Sequence, residues 1–357
     1  MKCHAIHQIV PTLADGDAIS SYTLLLQDVW KSWGFVSLIF AQMAAGRAAS
    51  RASGLGRMSA RAQEGDVLVY HHSTGCDAAE AFIRHQAARK ILIYHNIAPP
   101  EALAEAPALA ARSQRGLRQL RDLAEACDLA LADSEYNRRD LEKAGFTRTG
   151  VMSIALGNDR QSLFEAAARD RPRGAAGDRT ARFLCVGRIL PHKRFGMAIE
   201  AAALYQRAFG PARLRIVGGS GEAPEYAASL TRYVESQKIA GIEFMGKLTD
   251  EALAREYAGA DVYFCPSLHE GFCVPLAECM FSGLPVIASA HGAVPETLGG
   301  GGLVIGEDDP AMYAESARRL MTDPALYQHI IDAQRARCVL FTRASIEARM
   351  REFFMAS

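Results

Sequence analysis

Two glutamates, Glu270 and Glu278, stand eight residues apart in the stretch CPSLHEGFCVPLAECM at 265–280, with a glycine and a proline between them. Three chemistries fit such a pair in otherwise apolar sequence: a catalytic carboxylate pair, two solvated charges, or two contact points for one ligand that is not acidic there. Upstream, CVGRILPHKRF sets Arg188 just past a strand-like run and Lys193 five residues later. Two cations at the rim of a sheet would neutralise a diphosphate leaving group, although Lys193 and Arg194 also fit a plain solvated surface. VGGSG, at 217–221, offers Gly218 and Gly219 where a strand ends, suited to close backbone packing round a diphosphate. No lysine follows at P-loop spacing, so this is not a Walker motif. In the first loop, PTLADGDAIS, Gly16 lies between Asp15 and Asp17 ahead of a helix. It either lets backbone amides approach a phosphate or belongs to an ordinary turn with an aspartate cap. The G-x-G-x-x-G spacing is absent.

His95 ends the run ILIYH, where an imidazole would hold a substrate hydroxyl or move a proton; His71 and His72 end the neighbouring run. No acidic partner is visible in the sequence and GxSxG is absent, so a Ser-His-Asp triad has no support. Arg112, Arg115, Arg118 and Arg121 recur every three residues beside Leu117, Leu120 and Leu123. That reads as a basic stripe suited to anionic lipid or a lipid diphosphate, or as the solvated face of a core-packed helix. The eight cysteines are scattered with no CxxC, a pattern of buried thiols in a reducing compartment. Cys265, Cys273 and Cys279 lack zinc-like spacing, and no metal site is expected.

The elements that would position these residues alternate along the chain. Strand-like runs fall at 4–10, 34–40, 67–71, 90–95, 128–132 and 151–154, with helical patterns at 18–32, 76–88, 112–126 and 136–144. Residues 42–65 read as an irregular or mobile segment, and 165–181 have linker composition. The alternation restarts with strands at 182–187, 213–218, 242–245, 261–265, 284–288 and 302–305. The helices between them fall at 193–208, 225–238, 249–258 and 272–283, and helical patterning fills most of 310–357. Short apolar strands joined by helices predict parallel sheets covered on both faces, here two doubly wound α/β domains with a cleft between them. The expected divisions are 1–164, the linker 165–181, a second domain at 182–340, and a C-terminal helix at 341–357 packing back toward the first domain.

A length of 357 residues, 49% hydrophobic and 22% charged, suits two globular domains. Lys+Arg and Asp+Glu both number 40, so nothing global points to nucleic acid or an acidic substrate. The start lacks an apolar core behind a basic head, and no run reaches the ~18–20 apolar residues of a membrane span. A cytoplasmic protein is expected, with peripheral attachment to the inner face of a membrane left open.

Gly187-Arg188 with Lys193, then GGSG, FMGKL and EGFCVPLAE, resembles the donor domain of the GT-B glycosyltransferases. More narrowly, the chain is similar to the retaining, nucleotide-sugar-dependent enzymes of glycosyltransferase family 4. That resemblance implies two Rossmann-like doubly wound domains facing a central cleft. It implies that Arg188 and Lys193 grip the donor diphosphate and that Glu270 meets the transferred sugar's hydroxyls. The amides of Gly271, Phe272 and Cys273 would bind sugar and phosphate, Val274 would sit where the helix start meets the diphosphate, and Glu278 would hold the ribose. Gly218 and Gly219 line the diphosphate, Lys247-Leu248 match the base-binding edge, Gly16 and Asp17 match the first glycine loop, and His95 matches a histidine reaching the sugar. ILIYHNIAPPE is like bacterial enzymes assembling exopolysaccharide or O-antigen units, where GDP-mannose is a common donor and the acceptor is a polyprenyl-diphosphate-linked saccharide. No cofactor or metal is implied. The chain departs from its relatives in Asp15-Gly16-Asp17, where many have a glycine pair, and in IALG at 154–157, where PNG is common. A UDP-sugar with a soluble acceptor, or a non-catalytic nucleotide-sugar binder, are the alternatives.

Overall fold

A computed structural model describes residues 5–63, 65–87, 89–169 and 180–355. The chain divides into two compact units, one of Met1–Pro100, Ala110–Gly157 and Arg343–Ser357, the other of Glu101–Leu109 and Asn158–Thr342.

The first unit holds seven parallel strands: β1 (Ile6–Leu13), β2 (Ile39–Ala44), β3 (Ala52–Gly54), β4 (Val67–His72), β5 (Arg89–Tyr94), β6 (Leu129–Ala132) and β7 (Thr149–Val151). Helices α1 (Ala18–Ser32), α2 (Met58–Arg61), α3 (Asp77–Arg84), α4 (Pro107–Ala126) and α5 (Glu135–Lys143) connect them. The spatial order β3-β2-β1-β4-β5-β6-β7 means the chain winds outward from β1, then returns to build the other side. β4 and β6 are buried along their whole length, as expected of parallel strands covered on both faces.

The second unit repeats the plan. α6 (Asn158–Arg169) leads to β8 (Ala181–Val186), α7 (Phe195–Phe209), β9 (Ala212–Val217), α8 (Pro224–Ser236), β10 (Ile242–Gly246) and α9 (Asp250–Gly259). There follow β11 (Val262–Cys265), α10 (Val274–Ser282), β12 (Val286–Ser289), α11 (Val294–Leu298), β13 (Leu303–Ile305), α12 (Pro310–Thr322) and α13 (Pro324–Cys338). The order is β10-β9-β8-β11-β12-β13. Its core centres on Phe183 stacked on Phe264 at 4.6 Å, with Tyr205 and Tyr313 edge-on to that pair.

Three expectations change. The second strand, read at 34–40, lies at Ile39–Ala44. Gly34, at φ 90°, closes α1; the Val36 and Leu38 carbonyls accept from Ile6 and Gln8, but the Leu38 amide goes to the His7 ring at 3.2 Å, so the regular ladder begins only at Ile39. The segment at 42–65, read as irregular, carries the edge strand β3. Its order comes from remote acceptors: Asp15 takes the amides of Arg47 and Ala48 at 2.8 and 3.0 Å, and Arg51 reaches Gln27. The linker expected at 165–181 begins inside α6, which continues to Arg169; residues 170–179 lie outside the described residues.

Candidate functional site

In the second sheet the strand order reverses between β8 and β11, the position where open α/β sheets bind ligands at their strand C-termini. β8 leads into Gly187-Arg188 and a 3₁₀ turn at Pro191–Lys193, and the His192 carbonyl accepts the Leu268 amide of the loop after β11 at 2.8 Å. That splice brings Lys193 Nζ to within 2.6 Å of Glu270 Oε1, with the two side chains only 16% and 9% exposed. Burial opposes both charges. The carboxylate beside it nevertheless holds Lys193 above its ordinary value, and Lys193 holds Glu270 below the usual carboxylate range. Burial, reinforced by the Lys193 charge, pushes the neighbouring His192 down to about 3, so that ring is neutral.

Glu270 is also held from a direction the sequence reading missed. Its carbonyl accepts the Ala293 amide at 2.9 Å, and Thr297 Oγ1 donates to the Phe272 carbonyl at 2.6 Å. Gly292 stands at φ +61° with the Glu270 carbonyl so near that a Cβ would meet it at 2.5 Å, so a side chain there would push the glutamate loop away. The only local signal was a glycine shortly ahead of a helix with proline in its first turn. Cys273, left-handed at φ 69°, precedes α10, which starts at Val274 with no side-chain cap. The helix thus presents its positive end beside Gly271, Phe272 and the Lys193–Glu270 pair.

Eight residues on, Glu278 is 3% exposed. Tyr257 donates its hydroxyl to Oε2 at 2.6 Å, and Arg160 donates from Nη2 and Nε to Oε1 at 2.6 and 3.1 Å. Arg160 is shared with Asp250 and lies 5.3 Å from the Phe164 ring centroid. Glu278 is therefore neither a solvated charge nor a partner of Glu270. Both its oxygens are anchored from α6 and α9, and nothing in the local sequence announces Arg160 or Tyr257.

The remaining second-unit candidates sit at adjacent strand ends. Arg188 is exposed and pairs with Glu222 at 2.5 Å. Gly218 has a plain steric reason: a Cβ there would fall 1.8 Å from the Gly187 carbonyl oxygen. Gly219 packs along the Lys247 side chain, with Lys247 exposed and Leu248 half-buried beyond β10.

The first unit holds the other candidates. Asp17 serves as the N-cap of α1, accepting from the Ser20 amide at 2.8 Å and hydroxyl at 2.7 Å, while the exposed Gly16 turns the chain just before it. Asp17 thus caps the helix through Oδ2, the ordinary-turn reading of this loop. His95 is held from two sides. Its ring, 1% exposed, has both nitrogens engaged, Nε2 with His71 Nδ1 at 2.8 Å and Nδ1 with Asp133 Oδ2 at 2.9 Å. The acidic partner invisible in sequence comes from the end of β6, where only the fold brings it near.

Proton positions in this chain follow from one end. Gln8 Nε2 donates to the Thr23 carbonyl at 2.9 Å, which turns its Oε1 to His71 Nε2 at 2.8 Å. His71 Nε2 carries the proton, so His71 Nδ1 accepts from His95 Nε2. A further proton must then lie between His95 Nδ1 and Asp133, giving an imidazolium–carboxylate pair or a protonated acid. Burial pushes His71 well below its usual value, as this neutral ring requires, and burial raises Asp133 against the pull of His95. Asp133 Oδ1 is buried without a hydrogen-bond partner.

The arginines of α4 do not form one stripe. Each residue turns the helix by about 100°, so a spacing of three drifts by about 60° a step. Arg115 is only partly exposed and pairs with Asp77 and Glu80 at 2.5 and 2.8 Å; Arg112, Arg118 and Arg121 are exposed.

Residues 167–337, within the second unit's strand-and-helix alternation, match the family model described as glycosyl transferases group 1. The chain is 30% identical over 223 residues to a D-inositol 3-phosphate glycosyltransferase of Kineococcus radiotolerans, covering 56% of this chain and 51% of that one. It is 28% identical over 218 residues to a GDP-mannose-dependent alpha-(1-6)-phosphatidylinositol monomannoside mannosyltransferase of Mycolicibacterium smegmatis, covering 57% and 56%. It thus spans about half the length of these curated relatives. Among solved structures, a sucrose-phosphate synthase from Thermosynechococcus elongatus superposes with a TM-score of 0.75 at 19% identity, over 99% of this chain and 100% of that one. The fold, two parallel-sheet Rossmann-like units, is that of the GT-B glycosyltransferases.

Proposed function

We propose that the protein is a retaining, nucleotide-sugar-dependent glycosyltransferase that moves a hexose to a hydroxyl of a lipid-diphosphate-linked saccharide in bacterial surface polysaccharide synthesis. The buried Lys193–Glu270 pair at the positive end of α10 carries this reading. It couples a cation suited to a leaving diphosphate with a carboxylate suited to sugar hydroxyls, at the strand-order reversal. Arg188 supplies the second cation. Glu278 meets the ribose, and Arg160 and Tyr257 hold it in place. The C1–O bond to the diphosphate breaks as the acceptor oxygen bonds to C1 on the same face, and the acceptor proton passes to the leaving phosphate oxygen. Mannose from GDP-mannose is the preferred donor, supported by the similarity to the GDP-mannose-dependent mannosyltransferase of Mycolicibacterium smegmatis. Lys193 and Arg188 meet the leaving charge, so turnover is expected to persist in chelator.

A second reading uses a UDP-sugar and a soluble acceptor. The spiralled, partly neutralised arginines of α4 favour a soluble acceptor over a lipid surface. Nucleoside diphosphate release from a panel of GDP-, UDP- and ADP-sugars, with lipid-linked and soluble acceptors, separates the two. Lys193→Ala and Arg188→Ala should each lower kcat at least 100-fold with the fold intact; full rate in either would sink its role.

A further inference from the structure

Cys265, at the end of β11, and Cys273, just ahead of α10, bring their Sγ atoms to 3.8 Å. A carboxylate oxygen of Glu270 joins them, all three ligand atoms lying within 4.8 Å of one another and all three residues buried. Cys273 occupies a left-handed backbone position, φ 69° and ψ 75°, which side-chain-bearing residues seldom take, and from there its thiol meets Cys265. Two thiolates bound to one tetrahedral zinc at ~2.3 Å stand about 3.8 Å apart. The two sulfurs already have that spacing.

We propose that Cys265, Cys273 and Glu270 form a capture site for a thiophilic divalent cation such as zinc or cadmium. On binding, two S–H bonds break, two metal–sulfur bonds form, and two protons leave for solvent. The Glu270 carboxylate turns from Lys193 to the metal. With Lys193 included, the cluster carries no net charge before the exchange, as two thiols with one ion pair, and none after it, as a dication, two thiolates, a carboxylate and an ammonium. Soft ligands select against magnesium, which demands oxygen. Resting on the donor-site reading of Glu270, cation and nucleotide-sugar exclude each other, so the site inhibits transfer.

The test is titration of the reduced full chain with Cd²⁺ and Co²⁺, followed by the thiolate-to-metal charge-transfer absorption. The band should saturate at one equivalent, vanish in Cys265→Ser and in Cys273→Ser, and persist in Cys279→Ser. Absence of the band, or its survival in a folded Cys265→Ser chain, overturns the site. Zn²⁺ should lower nucleotide-sugar turnover at least tenfold, chelator should restore it, Mg²⁺ should leave it unchanged, and Cys265→Ser should turn over normally and resist zinc. A normal band with undiminished turnover would overturn the exclusion and the part given to Glu270, while leaving the cation site standing.

Discussion

Lys193 and Glu270 keep their charges in a buried setting because each is the other's partner, and in the proposed reaction that pairing joins the leaving-group cation to the sugar-binding carboxylate. The His95–Asp133 pair shows the same logic with a proton in place of an ion. An asparagine amide can donate to His95 Nδ1 without the extra proton. Asp133→Asn should therefore stay folded while the far-downfield imidazole proton resonance shared with Asp133 disappears. Asp133→Ala should lose about 2 kcal/mol in denaturant unfolding, because it leaves the His95 nitrogen unpaired. Retention of the downfield resonance in the asparagine variant would refute the proton assignment. His95 was legible in sequence as a chemical residue. Its partner was not, because the separation of 38 residues is closed only by pairing β5 with β6.

At the scale of elements, capping and packing decide roles that residue type leaves open. Asp17 caps α1, so Asp17→Ala should cost about 1 kcal/mol of stability and Asp17→Asn only a few tenths. Both should leave the donor KM within twofold. A tenfold rise in KM for the stable asparagine variant would show that Asp17 serves the donor site as well as the cap. Glu278 illustrates the reverse. Its place about one turn into α10 was readable, but the clamp from α6 and α9 through Arg160 and Tyr257 was not, since neither helix carries a signal of what it faces. The same limit explains α4, where an every-third-residue pattern looked like a stripe until helical geometry spread it round the axis.

For the whole molecule, four histidines set the acid limit. Burial lowers His7 and, well below its usual value, His71; it brings His72 to about 4 and His192 to about 3. Each takes up a proton more readily unfolded than folded, so its contribution is complete above about pH 6.5 and is lost as pH falls toward the folded value. Each fully protonated-on-unfolding histidine adds a slope of about 1.4 kcal/mol per pH unit. Glu270, held below the usual range, adds its own loss only below about 4.5. Lys193, held above 10.5, contributes until pH rises through its folded value. Unfolding free energy should therefore fall steeply from pH 6.5 to 4.5, with uptake of more than one proton per chain. A flat profile across that range would show that these rings are not held neutral.

Alternating apolar runs determined the two doubly wound sheets, since a parallel strand covered on both faces must be apolar throughout and its crossover must be helical. The spacing of Arg188, Lys193, Glu270 and Glu278 likewise marked the proposed donor site, because strand ends and a helix start put those residue types at one end of the second sheet. Tertiary structure alone decided which charges meet. The salt bridge to Glu270, the anchoring of Glu278 by Arg160, the ordering of 42–65 by Asp15, and the proton chain through His71 all join residues far apart in sequence. Hydrogen bonds and ion pairs act over about 3 Å, and no periodicity in a chain records which remote segment comes that close.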